Sequence, residues 1–108
     1  MTFAIKQHDR RPAFTSTLEA PADTPIDLTG CTAKFIMSLN VTPFTLKVNA
    51  AATIISPTAG TVAYSWGATD TDTVALYRAE WEITYGDGTK MTVPGGSYLY
   101  INVVADLA

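Results

Sequence analysis

A chain of 108 residues and 11.6 kDa has room for one domain and a single thin core. Hydrophobic residues make up 47% and charged residues only 16%, with seven Lys and Arg against ten Asp and Glu for a net charge of −3. So few cations offer no footprint for gripping nucleic-acid phosphates. One Cys and one His exclude a disulfide framework and a zinc site made from this chain's own Cys and His.

The first residues reach Lys6 without the apolar run of a signal peptide. Nowhere do about 18 apolar residues run together, as a membrane-spanning helix needs. What recurs instead is period-2 alternation, punctuated by turn residues. Phe3 and Ile5 alternate with Ala4 and Lys6, until Asp9, Arg10, Arg11 and Pro12 break the run. Phe14, Ser16 and Leu18 then share one face, opposite Ala13, Thr15 and Thr17. Pro21 and Pro25 make residues 20–25 a turn, because proline fixes φ and cannot donate to a ladder. Ile26 to Leu28 is a short extended piece ending at Thr29 and Gly30.

The next strand places Cys31, Ala33, Phe35, Met37 and Leu39 on one face. Thr32, Lys34, Ser38 and Asn40 take the other, with Ile36 the exception. Phe44, Leu46 and Val48 alternate with Thr45, Lys47 and Asn49, and residues 50–55 form a further strand before a turn over residues 56–60. Val62, Tyr64 and Trp66 share a face. Residues 67–73 are the one place for a short helical turn, since Ser, Thr and Asp cap such turns. A long strand follows, with Ala75, Tyr77, Ala79, Trp81, Ile83 and Tyr85 on one side and Arg78, Glu80, Glu82 and Thr84 on the other. Gly86-Asp87-Gly88 signals a hairpin. Residues 89–93 pair back, Pro94 to Gly96 turn again, and residues 97–104 are the last strand. Eight or nine short strands joined by local turns predict one all-β domain over residues 1–108, an antiparallel β-sandwich.

The reactive residue types fall in patterns that argue against catalysis. His8 and Asp9 are neighbours on an extended chain and point to opposite faces, so they do not form a base and its orienter. Cys31, on an apolar face, reads as a buried and inert thiol. Asp70 and Asp72 supply two carboxylates where calcium wants six to eight oxygens, so they read as turn caps. Glu80 and Glu82 beside Arg78 read as a solvated ladder, and Trp66, Trp81, Tyr64, Tyr77 and Tyr85 fall on faces assigned to the core. No enzyme activity, catalytic residue, cofactor or metal is expected. Two contact regions remain. Lys6, Gln7, Arg10 and Arg11 form a polar corner, and arginine is enriched in interfaces. Tyr98 and Tyr100 lie opposite Leu99, Ile101 and Val103, so the last strand has no polar side and is either central or part of a contact surface.

Several runs, taken in order, resemble a known family. They are residues 5–12 (Ile5 to Pro12), Leu18, residues 26–37 (Ile26 to Met37), residues 59–66 (Ala59 to Trp66), and Asp70 with Thr71. Residues 76–82 (Leu76 to Glu82), 85–89 (Tyr85 to Thr89) and Val93-Pro94 continue the match. Together they are similar to the N-terminal domain of phage baseplate upper proteins, a family of small immunoglobulin-like virion proteins of tailed phages. Residues 40–49 fit that pattern least. The resemblance implies an immunoglobulin-like fold and a non-enzymatic structural or adaptor role at the baseplate, tail, neck or capsid surface. It implies other virion proteins as partners in a symmetric multi-copy assembly, with neither nucleic acid nor membrane among them. It also implies synthesis in the host cytoplasm, which suits a lone Cys31. Because no distal module follows residue 108 in this sequence, any cargo is expected on a separate polypeptide. The alternative is a carbohydrate-binding sandwich using exposed members of Trp66, Trp81, Tyr98 and Tyr100. A tyrosine near the start of the long strand, Tyr77, is placed to bond back to the preceding corner, as in immunoglobulin-like domains.

Overall fold

The alternation is realised as ten β-strands and no helix among the described residues, which are 2–20, 24–43 and 45–107 of the computed structural model. The strands are β1 (Thr2–Lys6), β2 (Phe14–Thr17), β3 (Glu19–Ala20), β4 (Thr24–Pro25) and β5 (Thr32–Leu39). They continue with β6 (Leu46–Ser56), β7 (Thr61–Tyr64), β8 (Ala75–Thr84), β9 (Lys90–Val93) and β10 (Leu99–Val104). Eight of them form one hydrogen-bonded path, β1-β10-β8-β5-β6-β7-β2 with β9 beside β8, while β3 and β4 make a separate ribbon.

The path doubles back at β6. Residues up to Ala52 pair with β5, and residues from Thr53 pair with β7. One long strand therefore serves both layers, as strands do at the corners of sandwiches. The first layer holds β1, β10, β8, β5 and the start of β6; the second holds the end of β6, β7 and β2. In that order β2 and β7 face β5, β8 and β10 across a β-sandwich. The buried Tyr77 hydroxyl donates to the Thr73 carbonyl at 2.9 Å, bonding back to the corner that precedes β8 as expected. All pairings are antiparallel except β1 with β10, which is parallel. The sheet is thus mixed rather than wholly antiparallel.

Alternation sends Ala79, Trp81 and Ile83 of β8 and Ala33, Phe35 and Met37 of β5 inward, where they are buried. They meet Phe14, Val62 and Tyr64 from the second layer. Phe14 stacks on Trp81 with ring centroids 5.6 Å apart, and Phe35 on Tyr64 at 4.8 Å. Such aromatic pairs add about 0.5–1.5 kcal/mol each beyond the area they bury. The Trp81 indole N–H donates to Ser16 Oγ at 3.0 Å, and no buried side-chain N or O among the described residues lacks a partner. At the end of the turn from β6 to β7, Gly60 sits at φ +69° with the Ile26 and Leu18 carbonyls each 2.7 Å from where a Cβ would stand. Only glycine fits that conformation and that space.

Four expectations change. The strands read at residues 44–48 and 50–55 are one strand, β6, with Phe44 outside the described residues. A bulge opposite Met37 and Ser38 inserts Lys47 and turns Leu46 outward, so Leu46 and Val48 do not share a face. Residues 67–73 form hydrogen-bonded turns rather than a helix, with Asp70 N–H on Gly67 O at 3.4 Å and Asp72 N–H on Thr69 O at 3.3 Å. Cys31 precedes β5 and is half-buried rather than sealed in the core. The turn expected at residues 20–25 is described only at its flanks, where Glu19 and Ala20 pair with Pro25 and Thr24; residues 21–23 lie outside the described residues.

Candidate interaction surfaces

The polar corner forms where the chain leaves β1 and must cross to β2. Gln7 N–H extends the ladder to Val104 O at 2.8 Å, and His8, at φ +70°, donates its N–H to Thr71 O at 3.0 Å. Histidine is among the residues that adopt this left-handed region most readily after glycine. The side chains then stitch residues 7–12 to residues 66–72. Gln7 Nε2 donates to Asp72 O at 2.8 Å, and Arg10 Nε donates to Trp66 O at 3.0 Å. In return, the buried Thr71 hydroxyl donates to Asp9 O at 2.8 Å and the Trp66 indole to Pro12 O at 3.0 Å. Lys6 and Arg11 are exposed. Of the predicted corner residues, Gln7 and Arg10 are therefore occupied in holding the corner itself.

Asp70 and Asp72 serve this corner with different partners. The Asp70 carboxylate accepts from Gly67 N–H at 2.6 Å and from the Tyr64 hydroxyl at 2.5 Å. Burial, reinforced by that bond, pushes the Tyr64 phenol well above its usual range. Asp72 pairs with Lys47 Nζ at 2.5 Å, and that bond, with a second from Thr73, holds its carboxyl below the usual range. Lys47 is raised reciprocally by Asp72.

The second region is the outward face of the first layer, where register builds rows of neighbours. Tyr100, Arg78, Ser38 and Leu46 lie across four strands, and Glu80, Ile36 and Asn49 form the next row. Between Trp81 and Ala79 of β8, the facing chain passes from Val93 to Leu99. Five residues, 94–98, thus oppose the single Glu80, so Pro94 to Ser97 leave the ladder as an excursion that separates β9 from β10. Tyr98, at its end, lies under the Arg78 guanidinium, 5.2 Å from the ring centroid. Arg78 Nε also donates to Asn40 Oδ1. A hollow of about 120 Å³ opens here, lined by Ile36, Ser38, Leu46, Arg78, Glu80 and Tyr98 among others. Farther along, the half-buried Glu82 lies 3.4 Å from Lys90.

Tyr98 and Tyr100 are half-buried on this face, whereas Trp66 and Trp81 are only 2% and 0% exposed. β10 lies between β1 and β8, which makes it central, and its outward face carries Asn102 as well as Tyr100. The corner and the tyrosines are not brought together: along β1, Lys6 pairs with Val104 and Thr2 with Tyr100. Four residues of strand separate them, roughly 13 Å. The sequence reading missed Leu46 and Leu76, both exposed on this face. Ile36, the one apolar residue on a polar side, was the signal that pointed here.

No family model matches the chain, and a search of the curated proteins finds no matching relative.

Proposed function

We propose that the chain is a non-enzymatic structural protein of a tailed-phage particle, docking onto other virion proteins at the baseplate, tail, neck or capsid surface. The observation that carries this reading is the outward face of the first layer. Leu46 and Leu76 are exposed there, beside half-buried Ile36, Tyr98 and Tyr100, on a rigid sheet rather than a loop. Aromatic and aliphatic side chains around an arginine are the composition of a docking centre. The ordered resemblance to small virion proteins supplies the setting. In that setting the exposed Lys6 and Arg11 add a rim charge at the neighbouring corner.

Mass spectrometry of purified virions from the phage encoding the chain tests the assignment. The protein is expected in the particle as a multi-copy component, and its absence from intact particles overturns the reading. The glycan-binding alternative now rests on Tyr98 and Tyr100, because both tryptophans are sealed in the core and Arg78 already covers one face of Tyr98. Saccharide binding abolished by Tyr100→Ala would favour it instead.

A further inference from the structure

We infer that the free margin of β6 is a self-association edge, pairing antiparallel with β6 of a second copy about a two-fold axis near Asn49. β6 has strands on both sides, but not along the same residues. β5 pairs with Leu46 to Ala52 on one side, and β7 pairs with Thr53 to Ser56 on the other. Along residues 46–51, the side away from β5 presents backbone N–H and C=O groups with no strand beside them among the described residues. The chemistry that satisfies such a row is another strand.

Exposed edges are ordinarily blunted by charge, proline or bulges. From Val48 to Ser56 there is no charged residue and no proline. The one charge on the strand, Lys47, is turned away to Asp72, and the bulge at Lys47 lies at the end of the margin. Ala50, Ala51 and Ala52 have no bulk to hold a neighbouring strand off. Ala50 and Ala52, which face the core side, stay half-buried because the sandwich margin is open beside them. Two of the large exposed hydrophobics, Leu46 at 58% and Ile55 at 55%, stand at opposite ends of this strand. With the axis at Asn49, Leu46 is set opposite Ala52 of the twin, while Ile55 lies beyond the paired stretch, where β7 already flanks the strand.

A second copy suits this margin because an antiparallel two-fold is self-complementary: whatever residue i meets, its counterpart meets in return. With the axis at Asn49, Val48 faces Ala50 and Lys47 faces Ala51, so no like charges oppose. The only side chain that meets itself is Asn49, whose amide both donates and accepts. A margin this short buries less than the roughly 1,600 Å² of a standard interface. The dimer is therefore a weak one, strengthened wherever copies are already held close together.

The pairing stands apart from the virion assignment, since the purified chain alone tests it. Sedimentation velocity should show reversible dimerisation in the range of about 10 μM to 1 mM. Asn49→Asp, which sets two carboxylates face to face, should weaken it at least about tenfold. In a Cys31→Ser background, Asn49→Cys should form a disulfide-linked dimer on oxidation. Facing residues in an antiparallel pair have Cα atoms about 4.5–5.5 Å apart, within disulfide reach. Thr58→Cys, on an exposed turn, should not crosslink. Thermal melts confirm that each variant is folded. A chain that stays monomeric throughout overturns the inference. So does a dimer that ignores Asn49→Asp and leaves Asn49→Cys uncrosslinked.

Discussion

The polar corner and the outward sheet face are both surface regions, but they use their side chains in opposite ways. At the corner, Gln7, Arg10, Thr71 and Trp66 donate their polar hydrogens to backbone carbonyls of the same chain. On the sheet face, Leu46 and Leu76 are held out in solvent, Leu46 by the bulge in β6 and Leu76 by the alternation of β8. A charge-rich segment has thus become scaffold, and an apolar patch has been left uncovered. Binding energy is more available from the second, because the donors of the first are already engaged.

That contrast is open to direct tests. The largest effect is expected from Trp66→Ala, which removes a buried ring and the bond to Pro12 together. It should cost about 3–5 kcal/mol in urea unfolding. Thr71→Val keeps the shape but leaves the Asp9 carbonyl without its buried donor, for a loss of about 1–3 kcal/mol. A value near zero would show that the corner is solvated rather than structural.

A smaller effect should appear with pH. Asp72 has a folded pKa below its ordinary value, so its contribution is fully present above an unfolded pKa of about 3.9 and lost as pH falls through the folded one. Lys47 and Tyr64 are raised, so theirs are complete below about pH 10 and lost above it. The melting temperature should therefore plateau between these limits, and the gap between wild type and Asp72→Asn should narrow as pH falls below the ordinary carboxylate range. The smallest effect on stability belongs to the sheet face: Leu46→Ser with Leu76→Ser should stay within about 0.5 kcal/mol of wild type. On the proposed virion role, the same pair should reduce incorporation into particles. Unfolding of that double variant would mean that the leucines belong to the core after all.

How far the sequence foretold this division differs from element to element. β8 was legible from Tyr77 to Ile83, because strict alternation there leaves only one way to face a core, although the exposed Leu76 on its polar side was not foreseen. The burial of both tryptophans followed from the same alternation. The outward turn of Leu46 was not legible, because a one-residue bulge reverses sidedness without leaving any mark in composition. Nor was the role of Gln7 and Arg10, whose partners lie 65 and 56 residues away in the chain. Turn residues announced Pro94 to Gly96, but not that β9 and β10 lie along the same edge of β8. Pairing is a long-range fact, and turn chemistry is local.

The excursion at Pro94 to Ser97 carries a practical consequence. It already stands outside the ladder, with regular register restored on both sides by pairing to Trp81 and Ala79. Residues spliced in after Gly95 would lengthen a loop and shift no strand. Each doubling of such a loop costs only about 0.6 kcal/mol in closure entropy. The sandwich thus carries a permissive graft point, where an epitope, a fluorophore tag or a short recognition peptide can be displayed from the middle of a rigid sheet.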